Sequence, residues 1–337
     1  MSMPTIAVAA PAVKRIRNHD CWVFRDELLR PDSPLPPGEV VQVVNRHGGF
    51  VAYAFYNPRS HIALRVVTIR QEERVDRQWL AGRLRRAIAK RRALTGTNAR
   101  RLVFSEADAL PGLIVDQYDR WLVIQIRSAG MERWRQAILE LLHERLQPAG
   151  ILERSDKGFR EDEGLEPVSR VASGTVPDRI RIDEDGLRFL VDPHRGLKTG
   201  FYLDQRPTRR RLRQWVQPGQ TVLDAFSYTG SLGIAAASRG ARVVCVEQEE
   251  PFVALAKENA ALNGVADRID WVAGNAFYWL DAKAKEGASV DWVLLDPPAL
   301  AKAKGEIPKA RRALHHLLTQ GLALLGPDGR LMLSICT

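Results

Sequence analysis

The sequence predicts an α/β protein whose C-terminal part is a Rossmann-like, doubly wound parallel sheet, preceded by a small β-barrel and a central α+β region. Three observations lead there. From Thr221 onward, strand-length apolar runs alternate with helix-length stretches, the signature of a parallel sheet with helical crossovers. Before Arg70 the apolar runs are short and broken by Pro and Gly turns, as in small barrels. Between Gln71 and Asp192 both patterns occur. The expected domains are therefore 13–70, 71–192 and 193–337.

In the first domain the strands are Cys21–Phe24, Glu39–Val44 and Phe50–Tyr56, punctuated by Pro34-Leu35-Pro36-Pro37-Gly38 and His47-Gly48-Gly49. In the second, a basic helix over Asp76–Leu94 precedes the strand pair Leu113–Val115 and Trp121–Ile126. A helix over Met131–Leu146 follows from its apolar spacing, and the charged stretch Phe159–Val168 reads as a loop. In the third, the strands are Thr221–Phe226, Ala241–Glu247, Arg268–Ala273, Val290–Asp296 and Arg330–Ile335. Helices over Pro251–Leu262 and Pro308–Leu325 lie between them.

The 337 residues, 45% hydrophobic and 27% charged, describe an ordinary globular chain of two or more domains. No apolar run approaches the roughly 20 residues of a membrane span. Thr5–Val13 lacks the basic flank and cleavage site of a signal peptide, so the expected location is the cytoplasm, with no membrane partner. The three cysteines, Cys21, Cys245 and Cys336, form no CxxC pair and lack histidines at ligand spacing, so no metal site is expected. Lys and Arg outnumber Asp and Glu by 50 to 40, a net charge of +10, which favours a polyanionic partner. Arg83–Arg101 carries eight basic residues and no acid. It reads either as a solvated helix face or as an RNA contact.

In a doubly wound sheet, ligands bind beyond the carboxyl ends of the strands. The first strand runs into Asp224-Ala225-Phe226-Ser227-Tyr228-Thr229-Gly230-Ser231-Leu232-Gly233, where Gly230 and Gly233 permit a tight turn and a close approach to a ligand. This is not GxGxxG, so a dinucleotide is not the first choice. Glu247 ends the second strand, where a carboxylate can take both hydroxyls of a ribose. Asp296-Pro297-Pro298-Ala299 ends the fourth, where the prolines stiffen the exit and the acid can meet a base edge. The alternatives are a structural turn and acids that merely cap strand exits. Position 299 is Ala, so no aromatic follows the acid to stack on a base. Cys336 ends the fifth strand beside these acids, and a nucleophilic role is the reading preferred over a small buried hydrophobe. Cys245 and Cys21 read as core.

With these residues in view, the chain resembles the bacterial 23S ribosomal RNA large subunit methyltransferase I family, which makes 5-methylcytosine. His19–Phe24 and Tyr56–Arg65 resemble its PUA domain, an RNA-binding β-barrel. Glu106-Ala107-Asp108-Ala109-Leu110-Pro111-Gly112-Leu113 resembles its central signature. Lys198-Thr199-Gly200-Phe201-Tyr202-Leu203-Asp204-Gln205-Arg206 resembles the segment that leads into the class I methyltransferase domain. The resemblance implies S-adenosyl-L-methionine as cofactor, held by Asp224, Gly230 and Glu247 with Asn275 near the adenine. It extends cofactor contact to Tyr202, Asp204, Gln205, Arg206, Phe226 and Asp296. It makes Cys336 and Asp296 catalytic, 23S ribosomal RNA the partner, and a homodimer the assembly. The family usually has Asp at position 275, where an amide can still accept from the adenine amino group. Family members also continue past Cys336 with further strands and often a second cysteine, so the expected domain is incomplete at its C-terminus. The implied chemistry is a cysteine adduct at cytosine carbon 6. The rival readings are a guanine-directed ribosomal RNA methyltransferase and a non-catalytic RNA-binding assembly factor.

Overall fold

The computed structural model describes residues 3–30, 34–156, 160–301 and 303–335. Cys336 and Phe159 lie outside the described residues. The chain forms two compact units, 1–180 with 191–201 and 181–190 with 202–337, each taken by itself below.

The first unit opens with β1 (Thr5–Ala7), α1 (Ala10–Arg17), β2 (Trp22–Phe24), β3 (Glu39–Val44), β4 (Phe50–Tyr56) and β5 (Ile62–Thr68). They form one curled sheet in the order β1-β3-β4-β5-β2. Its edges are stitched where Ala9 N–H donates to Glu27 O (2.9 Å) and Leu29 N–H to Ala7 O (2.9 Å). Closure of this kind leaves few unpaired edge groups. Thr5–Ala7 is thus a barrel strand, paired in parallel with Gln42–Val44. Ile6, Val23, Val41, Val43, Ala52 and Leu64 fill the interior. Cys21 precedes β2 rather than sitting within it, and its thiol is only partly buried, near His19 O. The core reading of Cys21 is corrected accordingly.

The unit continues with α2 (Arg77–Arg91), β6 (Ala99–Phe104), β7 (Leu113–Tyr118), β8 (Trp121–Ile126), α3 (Ala129–Arg133), α4 (Arg135–Leu146), β9 (Gly150–Ser155) and β10 (Val168–Gly174). The sheet order is β10-β9-β8-β7-β6. Asp76 caps α2 by accepting from Gln78 and Trp79 N–H at 2.9 and 3.0 Å, which satisfies two otherwise orphaned donors. The helix expected over Met131–Leu146 is broken at Trp134 into α3 and α4. Glu163, almost fully buried, accepts from Asn57 (3.0 Å), Arg65 (2.8 Å) and Ala129 N–H (3.1 Å), joining barrel and central sheet through one carboxylate.

The second unit begins with a hairpin, β11 (Ile180–Glu184) and β12 (Leu187–Val191), whose base residues Ile180 and Val191 cluster with the first unit. Then come α5 (Arg206–Trp215), β13 (Thr221–Ala225), α6 (Ser231–Ala237), β14 (Arg242–Glu247), α7 (Glu250–Leu262), β15 (Ile269–Ala273), α8 (Ala276–Lys285), β16 (Val290–Leu295), α9 (Ile307–Ala323) and β17 (Leu325–Leu333). The five strands are all parallel, in the order β15-β14-β13-β16-β17. The order reverses beside β13, so the crevice between the exits of β13 and β16 is where a ligand belongs. β17 starts earlier than expected. Leu325 pairs with Val290 and Arg330 with Trp292, and Gly326-Pro327-Asp328-Gly329 forms a bulge between them. Leu223, Val246, Leu280, Val293 and Leu295 form the core beneath the crevice; burying a leucine side chain such as Leu280 contributes about 2 kcal/mol. Among the described residues no helix is long and apolar enough to cross a membrane.

Candidate cofactor and substrate site

Three residues in the turn after β13 have left-handed backbone: Phe226 (φ 66°), Tyr228 (49°) and Gly230 (75°). Only Gly230 adopts this without strain. The two aromatic positions are held there by packing, since Tyr228 meets Phe252 edge-on at 4.6 Å and Tyr202 at 5.4 Å, and Phe226 meets Phe277 at 5.7 Å. Strained backbone fixed by its surroundings is characteristic of functional turns. The glycines also answer to packing. A Cβ at Gly230 would lie 2.7 Å from the Trp271 ring, and one at Gly233 would lie 2.5 Å from Cys245 Sγ and 3.2 Å from Asp224 Oδ2.

Asp224 is 1% exposed. Its Oδ2 accepts from Gly233 N–H at 2.8 Å, and its Oδ1 is buried with no partner among the described residues. The Thr229 hydroxyl in the same turn likewise has no partner among the described residues. Burial pushes the Asp224 carboxyl from 3.8 up to about 7; the Gly233 N–H opposes the rise, and the charges of Asp296 and Glu247 add to it. A buried acceptor without a donor is costly, so this turn fits a ligand that supplies one. Cys245 is buried behind it as core, its thiol pushed up by burial and by Asp224.

Glu247, at the end of β14, is clamped by backbone donors. Tyr228 N–H meets Oε2 at 2.8 Å, and Gln248 and Glu249 N–H meet Oε1 at 2.9 and 3.1 Å. Each oxygen keeps lone pairs for further donors, so the carboxylate is aimed and available for a diol. Asn275 caps α8, with its carbonyl oxygen accepting Phe277 N–H (2.9 Å) and its amide donating to Gln248 (3.4 Å). The acceptor expected for an adenine amino group is thus shared with the helix end.

Across the crevice, Asp296 follows β16. Gln205 Nε2 donates both to Asp296 Oδ2 and to Ser334 Oγ, each at 3.1 Å, and Ser334 N–H donates to Leu295 O at 2.8 Å. The exits of β16 and β17 are thereby tied together by one amide. Asp224, Phe226, Gly230, Glu247, Asn275 and Asp296 all lie at the carboxyl edge, and Gln205 reaches it. Asp204 is exposed. Arg206 is held by Asp185 on the hairpin turn in a two-pronged ion pair of 2.6 and 2.8 Å. Its neighbour Arg209, missed in the sequence, is buried against Glu184 at 2.6 and 2.9 Å and donates to Tyr202 O at 3.1 Å. Its Arg-x-x-Arg spacing, one helical turn, was the available signal.

The basic stretch of α2 also changes meaning. Arg83 pairs with Glu73, Lys90 and Arg91 with Asp108, and Arg101 with Asp116. Half of the eight cations thus have acids brought to them from elsewhere in the chain.

A parallel sheet of this order, with a strained acidic turn after its first strand and an acid ending its second, defines the unit as a class I methyltransferase fold. Two solved structures share the fold of the whole chain. One, described as a SAM-dependent methyltransferase from Streptococcus mutans, has a TM-score of 0.82 at 22% identity, covering 98% of this chain and 85% of its own. A second methyltransferase, complexed with SAH, has a TM-score of 0.86 at 22% identity, covering 99% and 86%. Residues 6–68 match the PUA-like domain family, and residues 193–326 match Conserved hypothetical protein 95. Curated relatives named ribosomal RNA large subunit methyltransferase I include those of Shewanella amazonensis and Cronobacter sakazakii. The first is 35% identical over 94% of this chain and 81% of its own; the second is 32% identical over 100% and 86%. The chain belongs to the ribosomal RNA large subunit methyltransferase I family.

Proposed function

We propose that this protein makes 5-methylcytosine in 23S ribosomal RNA through a cysteine adduct. The coarser statement follows from the family: it is an S-adenosylmethionine-dependent ribosomal RNA large subunit methyltransferase. The unpartnered Asp224 oxygen and the clamped Glu247 carboxylate fit that cofactor. Asp224, Glu247 and Asn275 would hold it, with Gly230 shaping the turn. When bound, it supplies an electrophilic methyl group on a sulfonium.

The observation that carries the cytosine reading is the register of β17 on β16. Leu333 pairs with Leu295, and Ser334 shares Gln205 with Asp296, so the end of β17 is tied to the acid that this chemistry uses. Carbon 5 of cytosine is a poor nucleophile. The Cys336 thiolate adds to carbon 6, which makes carbon 5 enamine-like. Asp296 hydrogen-bonds the N3/N4 edge and stabilises the charge that thiolate addition pushes into the ring. Carbon 5 takes the methyl group, and loss of its proton to a base with expulsion of the thiolate then restores the ring.

The test is cofactor-dependent tritium release from unmethylated 23S RNA labelled at cytosine carbon 5. Release by the wild type and its loss in Cys336→Ala, with cofactor affinity unchanged, is the expected pair of results. Release that survives Cys336→Ala removes that residue from the covalent route. Methylation of the RNA without release places the methyl group on another atom.

A further inference from the structure

We propose that an arginine-lined groove at the amino edge of the catalytic sheet docks the phosphodiester backbone of structured RNA, on the side opposite the chemistry. The proposal rests on the reading of RNA as substrate and adds a second contact to it. The groove, about 700 Å³, is lined by Asp185, Arg210, Arg213, Gln214 and Arg239.

Its location follows from the topology. α6 starts at the carboxyl end of β13 and runs back, so Arg239, just after it, lies where β14 begins; Arg242 N–H there donates to Gln220 O. Gly219 N–H donates to Gly240 O at 3.0 Å and Arg268 to the same oxygen at 3.4 Å, which gathers the starts of β13, β14 and β15 at this edge. β13 has five residues, so at about 3.3 Å per residue the groove is about 16 Å from the Asp224 turn.

Its charge is strongly one-sided. Of the arginines of α5, Arg206 and Arg209 face inward to Asp185 and Glu184. Arg210 and Arg213 border the groove, and the Arg239 guanidinium makes no hydrogen bond or ion pair among the described residues. Asp185, the groove's one acid, is already engaged by the guanidinium groups of Arg206 and Arg210. Arg213 gives one terminal nitrogen to Asp185 O (2.6 Å), and its Nε is buried without a partner among the described residues. Asp185 thus fixes two guanidinium groups on the rim before any ligand arrives, so little side-chain freedom remains to be lost on binding. Fixed, forked cations match phosphate oxygens. An open groove of this charge suits a polyanion crossing it rather than an enclosed metabolite.

The experiment measures wild type and Arg210→Gln/Arg213→Gln/Arg239→Gln against a long 23S fragment and a short oligonucleotide bearing only the target region. Affinity is followed across salt, together with cofactor affinity. The single variant Arg239→Glu, at an exposed residue, serves if the triple variant loses cofactor binding. Loss of three phosphate contacts lowers the log-log salt slope on the long RNA by about 2 to 3, with methylation of the short oligonucleotide unchanged. An unchanged slope in both variants overturns the docking groove, while methylation by the wild type would still uphold the proposed function. An equal loss on both RNAs also overturns it, because the contact would then belong to the target region itself.

Discussion

Replacing Asp224 by Asn should make the cofactor-free protein more stable at alkaline pH and leave it little changed at acid pH. Burial holds the Asp224 carboxyl at about 7 in the folded chain, against 3.8 for the exposed group. The folded state therefore binds a proton more readily than the unfolded one. The associated stability is fully present below 3.8, falls as pH rises, and is lost above about 7. The span corresponds to about 4 kcal/mol, at 1.36 kcal/mol per pH unit. Asn is isosteric and neutral, and its carbonyl can still accept the Gly233 N–H that Asp224 Oδ2 takes at 2.8 Å. Denaturant unfolding of both proteins between pH 5 and 8.5 reads the difference directly. The Asn variant should pull ahead by up to about 4 kcal/mol at the alkaline end, and its cofactor affinity should drop as the anionic acceptor is lost. A stability gap that does not widen between pH 5 and 8.5 would refute the argument that Asp224 is buried at a cost which the cofactor relieves.

Three further outcomes follow from the geometry. Glu184→Gln strands the Arg209 guanidinium, which is buried against it, and should cost about 3–5 kcal/mol in denaturant unfolding. Gly233→Ala drives a methyl group against Cys245 Sγ and should cost about 1–3 kcal/mol. Cys245→Ala in the same chain should recover part of that loss, and no recovery would mean that backbone, not the thiol, is the obstacle. Gln205→Leu releases Asp296 and Ser334 from their shared amide. It should lower kcat by about tenfold, equivalent to about 1.4 kcal/mol, with cofactor affinity held; a change in cofactor affinity alone would make Gln205 a cofactor ligand instead.

The parallel sheet was legible because its signal is local: each strand is a short apolar run followed by a helical period, and β13 to β16 begin and end within a residue or so of the expected bounds. The carboxyl-edge residues were legible for the same reason, since a strand's end fixes which edge Asp224, Glu247 and Asp296 reach. β17 was read short because Gly326-Pro327-Asp328-Gly329 looks like a turn, and only pairing with Val290 and Trp292 makes it a bulge. The hairpin β11–β12 and the helix α5 were not read, although their residues alternate in burial at strand and helix spacing. Charge was the least legible property throughout. The sequence counts Arg83, Lys90, Arg91 and Arg101 as an unopposed basic run, yet Glu73, Asp108 and Asp116 meet them in space. Likewise no local spacing announces that Asp185 meets Arg206. Periodicity and strand-end chemistry act between near neighbours and are written along the chain. The fate of a charge depends on which distant group burial brings within hydrogen-bonding reach, and that is decided only when the chain has folded.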